Sequence, residues 1–202
     1  MTTGVAELAR RTYVALVHHP VLDKEGQTVT TAVTNLDIHD IARASRTFGL
    51  AGYFVVTPIT AQRELVGQIV GHWTHGAGRA HNDKRTDAVS LVRIVPALAD
   101  AIEQVARQND QAGNPFVVAT GARPRKETLS AAELREARIP EQSSMLLVFG
   151  TGWGLAPEVF ASADAVLEPI CGPDPNDHYN HLSVRSAVAI VLDRLFATPG
   201  RA

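Results

Sequence analysis

The sequence predicts an α/β layered fold around a parallel sheet, and three observations predict it. Short apolar runs rich in β-branched residues recur along the chain, most of them lack the polar alternation of a one-sided sheet, and helical patterns fall between them. With 202 residues, 45% of them apolar, the chain can bury a sizeable core, and we expect residues 1–202 to form one domain.

The elements follow in order. A first strand is expected at residues 13–18, followed by a helix at 37–48 for which Asp37 is a candidate cap. A strand at 53–57 leads to a helix at 61–72, and a strand at 89–95 leads to a helix at 96–109 whose Pro96 suits a first turn. The strand at 116–120 precedes a helix at 130–137, where Ser130 and Glu133 have capping-box spacing. Strands at 145–149 and 165–167 flank a short helix at 156–161. The last helix, 183–196, carries Val184, Ala187, Val188, Val191, Leu192 and Leu195 as an apolar stripe. That stripe fits either the sheet of its own chain or the same helix of a second subunit.

A formal charge of −2 and a pI near 6.4 give no global attraction to nucleic acid or to an anionic membrane, so such binding requires local basic patches. Cys171 is the single cysteine, which excludes an intrachain disulfide. There is neither a charged-then-apolar leader nor a long apolar run, so a soluble cytoplasmic protein with no membrane partner is expected.

Chemistry concentrates in the last third. Leu147-Val148-Phe149 runs into Gly150-Thr151-Gly152-Trp153-Gly154-Leu155, a strand ending in three closely spaced glycines. Glycine weakens strands and helices alike, so the cluster points to positive φ or to a ligand approaching the backbone. The dinucleotide fingerprint is excluded by spacing and by position after the fifth strand, and no Gly-Lys-Ser/Thr sequence supports a P-loop. Downstream, Tyr179-Asn180-His181-Leu182-Ser183-Val184-Arg185-Ser186 enters the last helix, and together the two segments suggest a cofactor pocket.

These segments, with Glu168-Pro169-Ile170 between them, resemble the C-terminal motifs of the SPOUT superfamily of RNA methyltransferases, and of a little-characterised bacterial family within it. The resemblance implies a C-terminal deep trefoil knot whose loops hold bent S-adenosylmethionine. By that resemblance the cofactor contacts are Thr120, Gly121 and Ala122 in a first loop and Phe149, Gly150, Thr151, Gly152, Trp153, Gly154 and Leu155 in a second. A third loop supplies Ile170, Gly172, Asn180, His181, Leu182 and Ser183.

Residues 37–50 are similar to the first motif of the SpoU branch, with Arg43 six residues before Gly49. In that branch the arginine is implicated in catalysis at a ribose 2′-hydroxyl, from the partner's side of a dimeric site, which makes Arg43 the catalytic candidate. Two departures stand out: the glutamate usual after the first glycine of the second motif is missing, and Ser183 replaces an asparagine of the third. The reading is therefore a homodimeric methyltransferase acting on tRNA or rRNA, with ribose 2′-oxygen and base nitrogen both open as acceptors. A non-catalytic knot protein that binds S-adenosylmethionine or RNA is the alternative.

Arg46, Arg79, Asn82, Arg85 and Arg123 are the RNA-binding candidates. Residues 72–85 combine basic, amide and aromatic side chains able to grip phosphate and stack a base, and Arg123 with Arg125 and Lys126 forms a second basic cluster. A surface loop that is merely polar explains either cluster equally well. His72, His75 and His81 match no standard zinc spacing, and no metal is assigned. Asp174, Asp177, His178 and His181 are candidate proton acceptors or helix-terminus partners, with no choice among them. Trp153 either walls an adenine or packs in the core, the commoner fate of an indole.

Overall fold

A computed structural model describes residues 2–76, 78–108, 113–174, 176–177 and 179–197, except the side chains of Thr2, Ala80 and His81. Six strands form one sheet: β1 (Thr12–Val17), β4 (Gly52–Val56), β5 (Val92–Val95), β6 (Phe116–Ala119), β7 (Met145–Gly150) and β8 (Ala165–Val166). They lie in the order β5-β4-β1-β7-β6-β8, and each pairing is parallel. β2 (Val21–Leu22) and β3 (Thr28–Val29) make a small antiparallel hairpin after β1.

The central strands β4, β1, β7 and β6 are almost entirely apolar because both faces are covered. Val14 and Leu16 of β1 and Met145, Leu147 and Phe149 of β7 join one core, while Tyr13, Ala15, Val17, Leu146 and Val148 join the other. On the first face lie α1 (Thr2–Arg10), α2 (Asn35–Thr47), α7 (Ala131–Arg138) and α9 (Val184–Phe196), and α6 (Leu98–Gln108) and α8 (Pro157–Ala161) contribute to the second core. The stripe on α9 is resolved in favour of its own chain. Val188, Val191, Leu192 and Leu195 are buried, and the helix packs on α2, α7, α1 and β7.

Local signals decide the helix ends. Thr34 caps α2 by accepting from Asp37 N, so Asp37 lies in the first turn and is not the cap. Ser130 and Glu133 form the full capping box of α7, and Ser183 caps α9. α6 begins at Leu98, so Pro96 precedes the helix instead of starting it, and Asn109 lies outside the described residues. α3 (Thr60–Thr74) runs past its expected end, and α4 (Gly78–His81) and α5 (Asp83–Val89) replace most of the loop expected to precede β5. No helix among the described residues is long and apolar enough to cross a membrane.

The strand order places the site. From β1 the chain builds outward through β4 to β5, then crosses to the other side of β1 for β6, inserts β7 between β1 and β6, and ends at the edge with β8. Such a reversal leaves a crevice beyond the carboxyl ends of the strands, where open α/β sheets bind ligands.

Candidate functional site

A cavity of about 810 Å³ opens beyond β6, β7 and β8, a volume within the range of small-molecule sites. Its walls are the segment after β6 (Thr120, Gly121, Ala122, Arg123, Pro124), the glycine loop (Phe149 to Gly154), and Leu167, Glu168, Ile170 and Asn180 to Arg185. Thr31, Ala32, Thr34 and Asp37 close the remaining side. Three segments remote in sequence thus meet at one place.

Each is held by identifiable contacts. The glycine loop is clamped to the hairpin, since Trp153 N donates to Leu22 O (3.0 Å) and Leu22 N to Gly154 O (2.9 Å). Thr151 donates through Oγ1 to Val17 O (3.1 Å) and also bonds Thr31 Oγ1. Gly152 and Gly154 have φ of 60° and 106°, which non-glycine residues rarely adopt. At Gly150 the reason is space: a β-carbon would stand 2.6 Å from Leu155 N. In the third segment, Asn180 Nδ2 donates to Ala122 O (3.0 Å) and ties the third loop to the first.

The opposite wall is polar. Arg185 Nη1 donates to Asp37 Oδ1 at 3.0 Å, its Nε stands 3.4 Å from Asp40 Oδ2, and Thr34 Oγ1 donates to Asp37 Oδ2 at 2.6 Å. An arginine in the first turn of α9 opposes the helix dipole, so the two carboxylates of α2 are what hold it there. Behind them His18 is fully buried, with Nδ1 3.1 Å from Thr31 Oγ1 and Nε2 without a hydrogen-bond partner among the described residues. Burial pushes its pKa down to about 4, against a smaller upward pull from Asp37, so the ring is neutral near pH 7.

Of the cofactor candidates, Thr120 to Ala122, Phe149 to Gly154, Ile170 and Asn180 to Ser183 line the cavity, while Leu155 and Gly172 do not. Leu155 is buried against the second core and bridges to Val21. Trp153 is 53% exposed at the rim and is not a core indole. Asp174 and Asp177 accept from backbone N–H groups two residues on, which makes them turn formers, and His178 lies outside the described residues. Arg43 is exposed on α2 and does not line this cavity.

Among the RNA candidates, Arg123 lines the cavity and Arg79 is exposed. Arg46 pairs with Asp87 (2.7 Å), Asn82 caps α5 by accepting from Arg85 N, and the Arg85 guanidinium lies 4.6 Å from the centre of the Trp73 ring. Thr31, Thr34 and Asp37 were not legible as site residues, and Glu168 and Arg185 stood in the motif segments without a role of their own. Asp37 and Arg185 lie 148 positions apart, so only the fold joins them.

Residues 11–197 match the model of a family described as SAM-dependent RNA methyltransferase. The chain belongs to that family. It is 46% identical over 92% of its length to a tRNA (guanine-N(1)-)-methyltransferase of Nitratidesulfovibrio vulgaris. The chain spans only 42% of that relative. An uncharacterised protein of Aquifex aeolicus is 39% identical over 92% of this chain and 88% of its own length. The fold is shared with the solved TrmH/SpoU tRNA modifying enzyme of A. aeolicus, at a TM-score of 0.51 and 16% identity, covering 96% of this chain and 79% of that one.

For a member of this family the cavity fits S-adenosylmethionine. Phe149, Leu167, Ile170, Leu182 and Val184 provide apolar walls for a nucleoside, the three loops bring backbone groups to the cavity wall, and Asp37 and Arg185 provide paired charges.

Proposed function

We propose that this chain is a single SPOUT-like domain that methylates tRNA or rRNA with S-adenosylmethionine as donor. The observation that carries the reading is the meeting of three loops around one cavity at the carboxyl ends of β6, β7 and β8. When bound, S-adenosylmethionine supplies a methyl group made electrophilic by its sulfonium. The protein's task is to hold that group in line with an acceptor atom, keep water out and assist loss of the acceptor's proton.

The loops are read as a trefoil knot. Supporting this, the chain leaves the edge strand β8, returns past the first loop through the Asn180–Ala122 contact, and then lays α9 against β7 and α2.

The working unit is read as a homodimer. Arg43 is exposed outside its own cavity, and Leu36, Trp153, Tyr179 and Leu182 are exposed apolar side chains near the loops. A second copy would cover them and bring its Arg43 to the first copy's acceptor, where a guanidinium holds a phosphate or stabilises a developing oxyanion.

The test is transfer of labelled methyl groups to RNA from cells lacking this protein, with nucleoside mass mapping to separate ribose from base products. Arg43→Ala is expected to lower turnover about 100-fold at near-normal cofactor affinity; unchanged turnover would remove Arg43 from the mechanism. Tight cofactor binding with no transfer to any RNA would favour the non-catalytic knot protein.

A further inference from the structure

The ionised side chains lining the cavity are Asp37, Arg123, Glu168 and Arg185. Asp37 and Arg185 already form an ion pair, with Nη1 and Oδ1 3.0 Å apart, whereas Arg123 and Glu168 are exposed on separate loops. The pair is oriented from both sides. Thr34 holds the second oxygen of Asp37, and Asp40 holds Nε of Arg185. This leaves Arg185 Nη2 with no hydrogen-bond partner among the described residues, on a side chain that is 30% exposed at the cavity wall.

We infer that this ion pair is the receptor for the amino-acid end of the donor. That end is a zwitterion, a carboxylate and an ammonium two bonds apart on one carbon, and its complement is a cation and an anion held side by side. Arg185 takes the carboxylate through its free Nη2 donors, in the planar geometry guanidinium offers to carboxylates. Asp37 takes the ammonium with the lone pairs that Thr34 and Arg185 leave open. A partly buried pair contributes little net stability, so ligand recognition accounts for placing one in the cavity wall. Opposing the α9 dipole, Arg185 is held by α2, and the receptor therefore forms only when the two helices are docked.

The inference rests on S-adenosylmethionine being the donor. Equilibrium binding of S-adenosylmethionine and of its decarboxylated analogue, which keeps the sulfonium and the amine, tests it. Wild-type protein is expected to prefer S-adenosylmethionine by about tenfold to a hundredfold, the range for a charged hydrogen-bonded contact. Arg185→Ala and Arg185→Gln are expected to bind the two ligands within about twofold of each other; Gln keeps a donor for Asp37 if the alanine variant folds poorly.

Equal affinity in the wild type overturns the receptor while leaving the donor assignment intact. A preference that survives both substitutions moves the carboxylate to another residue. An unchanged preference with a raised KM for RNA shows that Arg185 grips an RNA phosphate instead. Failure of the wild type to bind either ligand sinks the donor assignment itself.

Discussion

At Gly152 the backbone is left-handed, and a β-carbon there would lie 2.9 Å from the carbonyl oxygen of Leu22, which Trp153 N already engages. Gly152→Val is expected to destabilise the protein by about 2 kcal/mol or more, through the disfavoured φ and the collision together. Gly154→Ala, with no atom within 4 Å, meets only the backbone penalty and is expected to cost less. Thermal unfolding of the two variants ranks them, and equal losses would remove the role of the Leu22 contact. His18 gives a pH signature. Its pKa falls from 6.5 to about 4 in the folded chain, so the unfolded state takes up a proton first as pH drops. Stability is expected to fall by up to about 3 kcal/mol between pH 6.5 and 4 from this group alone. His18→Gln should remove that part of the slope, so a wild-type-minus-variant difference that stays constant across the range would contradict the burial argument.

At the scale of elements, the capping box of α7 stands apart from the cavity. Ser130→Ala is expected to cost about 1 kcal/mol in denaturant unfolding while leaving cofactor affinity unchanged; weakened binding would mean that α7 positions the first loop. β1, β4, β6 and β7 were legible in the sequence because burial on both faces makes each a nearly continuous apolar run, and Met145–Gly150 is the clearest case; β5 carries Arg93 and starts at Val92, because Val89, expected to open it, ends α5 instead. The hairpin was not legible, since its two-residue strands lie among polar and turn-forming residues, whereas β8, equally short, falls inside the apolar segment expected at 165–167. Nor was α5, whose sequence Asp83–Val89 is mostly polar and depends on the Asn82 cap and on packing against α2 and α3. Sequence placed Asp37 as a cap because Asp suits that position, but Thr34, three residues earlier, supplies the capping oxygen. The glycine loop announced itself through composition. The Asp37–Arg185 wall could not, because neither residue is unusual in its own segment.

For the whole molecule, the decisive feature is the reversal of strand order around β1, which gathers the loops after β6, β7 and β8 at one end of the sheet. A net charge of −2 means that RNA must be attracted locally; Arg46, Arg79 and Arg123 are the exposed cations among the candidates, and Arg46 is paired with Asp87. Binding of RNA is accordingly expected to weaken steeply as salt rises, with a slope reduced in Arg79→Ala and Arg123→Ala; an unchanged slope would place the contacts elsewhere. The central claim is that the cavity holds S-adenosylmethionine, and titration calorimetry of the folded protein tests it most directly. One saturable site per chain, lost in Gly152→Val, is the expected result; a folded protein that takes up no S-adenosylmethionine would contradict the account.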